Sequence, residues 1–195
     1  MTATTVVKIG GSLAESDAAA TLVRRLAALA PRRLILVPGG GDFAETVRFA
    51  QQRHAFSDYA AHHMALLAMH MSAVMLAEFA SGLVVAETPE EFESAWQRDL
   101  TPLWAPERMA LAASDIPASW EVTSDSLAAW LAARIGAAHL VLVKACPIAE
   151  DAAGDAQALA SAGVVDAGFP RFAGAGGFAW QVVSDLDSAL AAIGA

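Results

Sequence analysis

The chain predicts an α/β fold: a three-layer αβα sandwich with a mainly parallel central sheet. Short runs rich in β-branched residues alternate along it with longer stretches of helical periodicity. The runs are apolar throughout instead of alternating apolar and polar residues. Strands apolar on both faces are covered on both, as in a parallel sheet between helices. At 195 residues, 56% hydrophobic and 17% charged, the chain has material for one sizeable core. It shows no internal repeat and no linker long enough to divide it, so residues 1–195 read as a single domain.

The elements follow in order. Thr4–Ile9 is a strand ended by Gly10-Gly11-Ser12. Asp17–Ala30 is a helix with Leu22, Leu26 and Leu29 on one face, ended by Pro31. Arg33–Val37 is a second strand, closed by Pro38-Gly39-Gly40-Gly41-Asp42, and Phe43–Arg53 is helical. Ser57 and Asp58 supply an N-terminal cap for a long helix. Its apolar stretch around Ala60–Ala80 carries His62, His63, His70 and Glu78, so it reads as a buried helix and not a membrane span. Leu83–Ala86 is a third strand, and Thr88-Pro89-Glu90-Glu91 has the proline and acids of a helix's first turn. Leu100–Trp120, with Pro102, Pro106 and Pro117, reads as loop. Thr123–Ile135 returns to helix and His139–Lys144 is a clear buried strand. Beyond Ala145 the pattern is weak until a strand at Ala179–Val183 and a helix at Asp185–Ile193.

Charge narrows the function. A net charge of −9 lacks the basic footprint of a nucleic-acid binder and repels an anionic membrane surface. A phosphate substrate would have to be held by local basic residues and backbone N–H groups against that field. Cys146 is the sole cysteine, so no intramolecular disulfide can form; with no histidine near it in sequence, it reads as a buried thiol. That usage suits a reducing cytoplasm. Met1–Val7 has no basic region leading into an apolar stretch, so no signal peptide is expected there.

Three segments place glycine or charge where a strand ends, the edge at which open α/β sheets gather ligands. In Lys8-Ile9-Gly10-Gly11-Ser12, glycines let the backbone approach phosphate oxygens and Lys8 offers a point charge. Gly39-Gly40-Gly41-Asp42 precedes a helix, a ready site for an anionic acceptor. Thr123-Ser124-Asp125-Ser126 opens another helix. Each also has a plainer reading: turn chemistry for the glycines, and a helix cap for Ser124 or Asp125. Neither a Walker pattern nor Gly-x-Gly-x-x-Gly is present.

Taken in order, Val6-Val7-Lys8-Ile9-Gly10-Gly11-Ser12, Val37-Pro38-Gly39-Gly40-Gly41 and Val122-Thr123-Ser124-Asp125-Ser126-Leu127-Ala128-Ala129 resemble the amino-acid kinase superfamily, which includes carbamate, acetylglutamate, aspartate and uridylate kinases. The resemblance implies a central sheet of about eight strands, with ATP and acceptor over the strand ends. It implies that Lys8 stabilises the transferring phosphoryl group, and that Gly10, Gly11 and Ser12 line the phosphate path. Gly39, Gly40 and Gly41 would hold the acceptor. Asp125 would orient the lysine and help organise a magnesium–nucleotide complex. Phosphoryl transfer needs in-line positioning and neutralised charge more than covalent help, and these residue types supply both.

A narrower resemblance, to the small aminomethylfuran phosphate kinases of methanofuran biosynthesis, rests on four stretches. They are Pro38 to Arg48, Ser57 to Met64, Ser119 to Asp125, and Val165-Asp166-Ala167-Gly168-Phe169-Pro170. It implies an acceptor that is itself a phosphate, with Arg48 and His62 among its contacts; the plain alternative for Arg48 is a solvated surface charge. It also implies ATP and Mg2+ as cosubstrates, a homo-oligomer, and a cytoplasmic setting.

The chain departs from the superfamily after Lys144. Ala145-Cys146-Pro147-Ile148 and an acidic stretch with Glu150, Asp151 and Asp155 stand where relatives carry an Asp-Val-Asp-Gly-type turn and a longer segment with another lysine. Lys144 then supplies the second positive charge to the nucleotide, or is a strand-end lysine facing water. Met64, Met69, Met71 and Met75 read as core filler and the histidines as structural or as one substrate contact. Trp96 reads as packing; Trp104 and Trp120 either pack or floor a pocket for a flat ring. The reading is an ATP-dependent small-molecule kinase. Its rival is a non-catalytic member of the fold that binds a small ligand or serves as a partner subunit.

Overall fold

The computed structural model describes residues 3–14, 17–148 and 154–194; Glu150, Asp151 and the side chain of Ser12 lie outside the described residues. Its elements run β1 (Thr5–Ile9), α1 (Gly11–Ala14), α2 (Asp17–Ala27), β2 (Leu34–Pro38), α3 (Gly41–His54), α4 (Asp58–Ala77), β3 (Leu83–Ala86) and α5 (Pro89–Gln97). They continue with β4 (Thr101–Trp104), α6 (Glu107–Leu111), α7 (Ser124–Arg134), β5 (His139–Val143), α8 (Ala156–Ser161), α9 (Phe169–Ala175), β6 (Ala179–Val183) and α10 (Leu186–Ile193). Ser57 and Thr88 cap α4 and α5, their hydroxyls accepting from the N–H groups of Ala60 and Glu91.

The strands form one sheet, all parallel, in the order β3-β4-β2-β1-β5-β6. Alternate residues serve two cores. Val6, Ile35, Val37, Leu140 and Leu142 face Leu66 and Met69 of α4, Leu127 and Trp130 of α7, and Phe169 and Phe172 of α9. Val7, Ile9, Leu36, Val141 and Val143 face Leu22, Val23 and Leu26 of α2 and Leu190 of α10. Buried on both sides, these strands have no reason to alternate with polar residues. From β1 the chain first extends the sheet through β2 to β4, then crosses back to add β5 and β6 on the other side. The switch point lies between β1 and β5, where an open α/β sheet leaves a crevice at the strand ends.

The structure corrects several expectations. Six strands, not about eight, are present among the described residues. The segment Leu100–Trp120 holds β4 and α6 instead of loop alone. Pro102 hides β4, because proline lacks the N–H of a central strand and has been read as a breaker. Correspondingly, β4 meets β2 in register only at Leu36 and Leu103. The weakly patterned region after Ala145 contains α8 and α9. Cys146 is exposed, not buried, because it stands just past the end of β5.

The helix α4 is long and apolar enough to cross a membrane by length and composition. In the fold its inner face packs Ala61, Leu66, Met69, Ala73 and Leu76 into the domain core. Its other face leaves Met64, Leu67, Met71 and Val74 exposed, so only Met69 of its four methionines is fully buried core filler.

Candidate active site

The first two glycine loops pack backbone against backbone. The Gly39 N–H donates to Ile9 O at 2.9 Å and the Gly10 N–H to Val143 O at 2.9 Å, extending the ladder past the strand ends. A Cβ on Gly39 would lie 2.5 Å from Gly11 N, and one on Gly11 would lie 2.9 Å from Gly41 N. Glycine is therefore required for the two loops to meet. Gly41 also has φ of 51°, the left-handed region in which a side chain is strained. Gly40 is the N-cap of α3 and, lacking a side chain, supplies no cap bond, so the start of α3 faces the cavity without a capping side chain of its own.

Beside these loops, β1 delivers Lys8 to the α7 face of the sheet, and Lys144 follows β5 directly. Both are drawn to one carboxylate. Lys8 Nζ lies 2.8 Å from Asp125 Oδ1 and Lys144 Nζ donates to Asp125 Oδ2 at 2.6 Å. Lys8 and Asp125 are 3% and 4% exposed, so this is a buried cluster at the topological switch point. Burial works to raise the Asp125 pKa, yet the charges of Lys8 and Lys144 outweigh it and hold the carboxyl below its ordinary value. Lys144 moves the other way from an exposed lysine. Burial and the Lys8 charge lower its pKa, against the opposing pull of Asp125.

Asp125 is not a cap. Thr123 holds the N-cap position of α7 and makes no side-chain cap bond of its own. The capping carboxylate comes from Asp166, which accepts from Thr123 N–H at 3.0 Å, Thr123 Oγ1 at 2.8 Å, Ser126 N–H at 3.0 Å and, at short range, Ser126 Oγ. The Asp166 N–H in turn donates to Asp125 Oδ2 at 3.2 Å. Sequence reasoning marks Asp166 only as part of a stretch of family resemblance and gives it no role in the site. Forty-three positions separate it from Thr123, and no local spacing connects them.

A cavity of about 340 Å³ lies between α3, α4 and the start of α7; its lining reaches the sequence neighbours of the cluster but not Lys8, Asp125 or Lys144 themselves. Gly11, Gly40, Gly41, Arg48, His62 and Trp120 line it, with Thr123 and Ser124 at its α7 side. Gly10 and Gly39 serve the loop packing instead of the cavity wall. The Arg48 guanidinium sits 4.5 Å over the Trp120 ring and 3.6 Å from Glu45. Its Nε is shielded from solvent and has no hydrogen-bond partner among the described residues, an orphan donor that an anionic ligand would satisfy. Burial, then the neighbouring His63, lowers the His62 pKa, so His62 enters the cavity as a neutral imidazole at pH 7.

The remaining candidates are structural in their contacts. His63 pairs with Glu107 at 2.9 Å. Trp104 is fully buried and stacks on Trp130 with centroids 6.2 Å apart. Trp96 donates to Leu34 O at 3.0 Å, which ties α5 to the sheet.

Residues 3–147 match the model of the amino acid kinase family. The chain belongs to the amino acid kinase family. Among curated proteins it is 24% identical over 139 residues to the [5-(aminomethyl)furan-3-yl]methyl phosphate kinase of Methanocaldococcus jannaschii. That match covers 70% of this chain and 63% of the relative, so the chain spans just under two thirds of the protein it matches. The fold is shared with kinases of known structure. The uridylate kinase of Archaeoglobus fulgidus superposes with a TM-score of 0.69 at 16% identity, covering 95% of this chain and 93% of that one. The carbamate kinase of Giardia lamblia bound to AMP-PNP gives 0.63 at 12% identity, covering 99% and 95%. The matched region ends at Pro147, just past Lys144.

Proposed function

We propose that this member of the amino acid kinase family transfers the terminal phosphoryl group of ATP onto a small phosphate monoester. The observation that carries the reading is the buried Lys8–Asp125–Lys144 cluster beside the cavity. Two ammonium groups are held on one buried carboxylate, at 2.8 and 2.6 Å, with the Asp166 carboxylate acting on Lys144 from further off. Ammonium groups fixed in a desolvated place are preorganised to stabilise an anion that arrives there, and a phosphoryl group in transit is such an anion.

In this account Gly10, Gly11, Ser12 and Lys144 hold the nucleotide phosphates. The acceptor phosphate lies in the cavity against Arg48, Gly40, Gly41 and the α3 N-terminus, with His62 as a neutral hydrogen-bonding partner. An acceptor oxygen forms a bond to the γ-phosphorus as the bond to the β–γ bridging oxygen breaks, and ADP leaves. Lys8 meets the charge on the transferring group, and Asp125 keeps both lysines in place. Magnesium bound to the nucleotide would screen its phosphate charges. Both oxygens of Asp125 are engaged by lysines, so its part is to orient them.

An aminomethylfuran phosphate, the acceptor in the name of the curated relative, fits the chemistry of the cavity. Trp120 offers a face to a flat ring, and Asp42 and Asp58 line the same cavity as partners for an ammonium group. A homo-oligomer and a cytoplasmic setting go with this reading. The test is ADP release from Mg–ATP with that compound and a panel of other small phosphates. Release that depends on one of them supports the proposal. Saturable binding without ADP from any acceptor favours the non-catalytic rival.

A further inference from the structure

We propose that Asp166 is a positioning residue for phosphoryl transfer, holding the first turn of α7 so that Asp125 stays between Lys8 and Lys144. This rests on the kinase reading above and adds a residue outside the matched family region, which ends at residue 147.

Two independent observations converge on the turn that contains Asp166. The first is its hydrogen bonding. One carboxylate accepts four donors from Thr123 and Ser126, the residues that flank Ser124 and Asp125. The same residue's N–H reaches Asp125 Oδ2 at 3.2 Å, on the oxygen that Lys144 also uses. Asp125 is thus approached by two lysines and one backbone amide, and that amide is fixed by the side chain of its own residue.

The second is steric. The Gly168 N–H donates to Glu121 O at 2.7 Å. A Cβ at Gly168 would lie 2.7 Å from Val122 Cγ2 and 2.9 Å from both Glu121 O and Ser126 Oγ. The turn is pressed against the residues leading into α7 as closely as glycine allows. A helix cap alone needs one acceptor for one or two N–H groups. Here the capping residue also contacts the carboxylate that orients both lysines, and its backbone is clamped from a second point.

A carboxylate that sets the position of charged groups by tenths of an ångström acts on turnover, because small misplacements around a transferring group are expensive. A plain cap acts on stability. The experiment measures kcat, acceptor KM and melting temperature for Asp166→Asn and Gly168→Ala, with rates taken per folded protein, beside wild type and Lys8→Ala. Asparagine keeps the shape but turns an N–H2 group toward donors. Gly168→Ala shifts the turn without touching a charge, so it keeps the test decisive if Asp166→Asn folds poorly. The expected result is a fall in kcat of about tenfold or more in both variants, with acceptor KM within about twofold. Lower melting with wild-type kcat in the folded fraction overturns the inference and leaves Asp166 a cap. If Lys8→Ala also turns over at the wild-type rate, the failure lies with the transfer site itself.

Discussion

Lys8 and Asp125 form an ion pair of 2.8 Å in which neither residue is more than 4% exposed. The pair joins the first strand of the sheet to the first turn of a helix more than a hundred residues later. Buried pairs seldom raise stability over an apolar alternative, and breaking one by removing a partner is costly. The pair stands at the switch point of the sheet, the edge at which open α/β sheets gather ligands.

Lys8→Ala is expected to lose about a hundredfold or more in turnover, the scale of a lost transition-state donor. Asp125 keeps Lys144 as a counter-ion in this variant, so the fold should survive. Steady-state ADP release beside circular dichroism checks both halves. Wild-type turnover would remove Lys8 from the reaction.

Asp125→Asn should behave differently from a capping mutant. From sequence alone Asp125→Asn is expected to melt near wild type, since asparagine caps nearly as well as aspartate. The structure reverses that expectation. Asp125 neutralises two buried ammonium groups, so the variant should lose about 3–5 kcal/mol of stability as well as activity. Denaturant unfolding measures this. An unchanged midpoint would contradict the buried network.

Lys144 gives a pH signature in two opposing directions. Its pKa is lowered from 10.5, so activity that needs its charge should fall as pH rises through a value below 10.5. In that same window the unfolded chain binds the proton that the folded one has released. Unfolding free energy from this group therefore rises with pH there. Rate and stability profiles of wild type and Lys144→Met separate the effects: both trends should flatten in the variant.

Arg48→Ala should raise the KM for the phosphate acceptor by about ten- to a hundredfold, the value of one charge-assisted hydrogen bond. The KM for ATP should change little. Arg48→Lys should restore only part of the loss, because lysine does not reproduce the planar contact over Trp120. An unaffected acceptor KM would make Arg48 a surface charge.

Much of this was legible in the residues themselves. The apolar runs at Leu83–Ala86 and Ala179–Val183 are strands with those bounds, because β-branched and aromatic residues between turn signals have few other uses. Lys8 announced itself as a charge inside an apolar strand. Other features depended on distant partners. Pro102 obscured β4, which is held by its neighbours and not by its own propensity. The capping alternative for Asp125 is removed by Asp166, which supplies the cap from the turn before α9. The glycine loops invited a ligand-only explanation, whereas Gly39 is required first for packing against Gly11.

The γ-phosphoryl group of ATP is expected to arrive on the phosphate of a small acceptor in the cavity near Lys8, Asp125 and Lys144. Phosphorus NMR of a reaction containing Mg–ATP and [5-(aminomethyl)furan-3-yl]methyl phosphate tests it most directly. The acceptor's single resonance should give way to a coupled diphosphate pair as ADP accumulates, and Lys8→Ala should abolish the change. An acceptor resonance that persists while ATP stays intact or yields only inorganic phosphate, with that compound and with every other small phosphate tried, would contradict it.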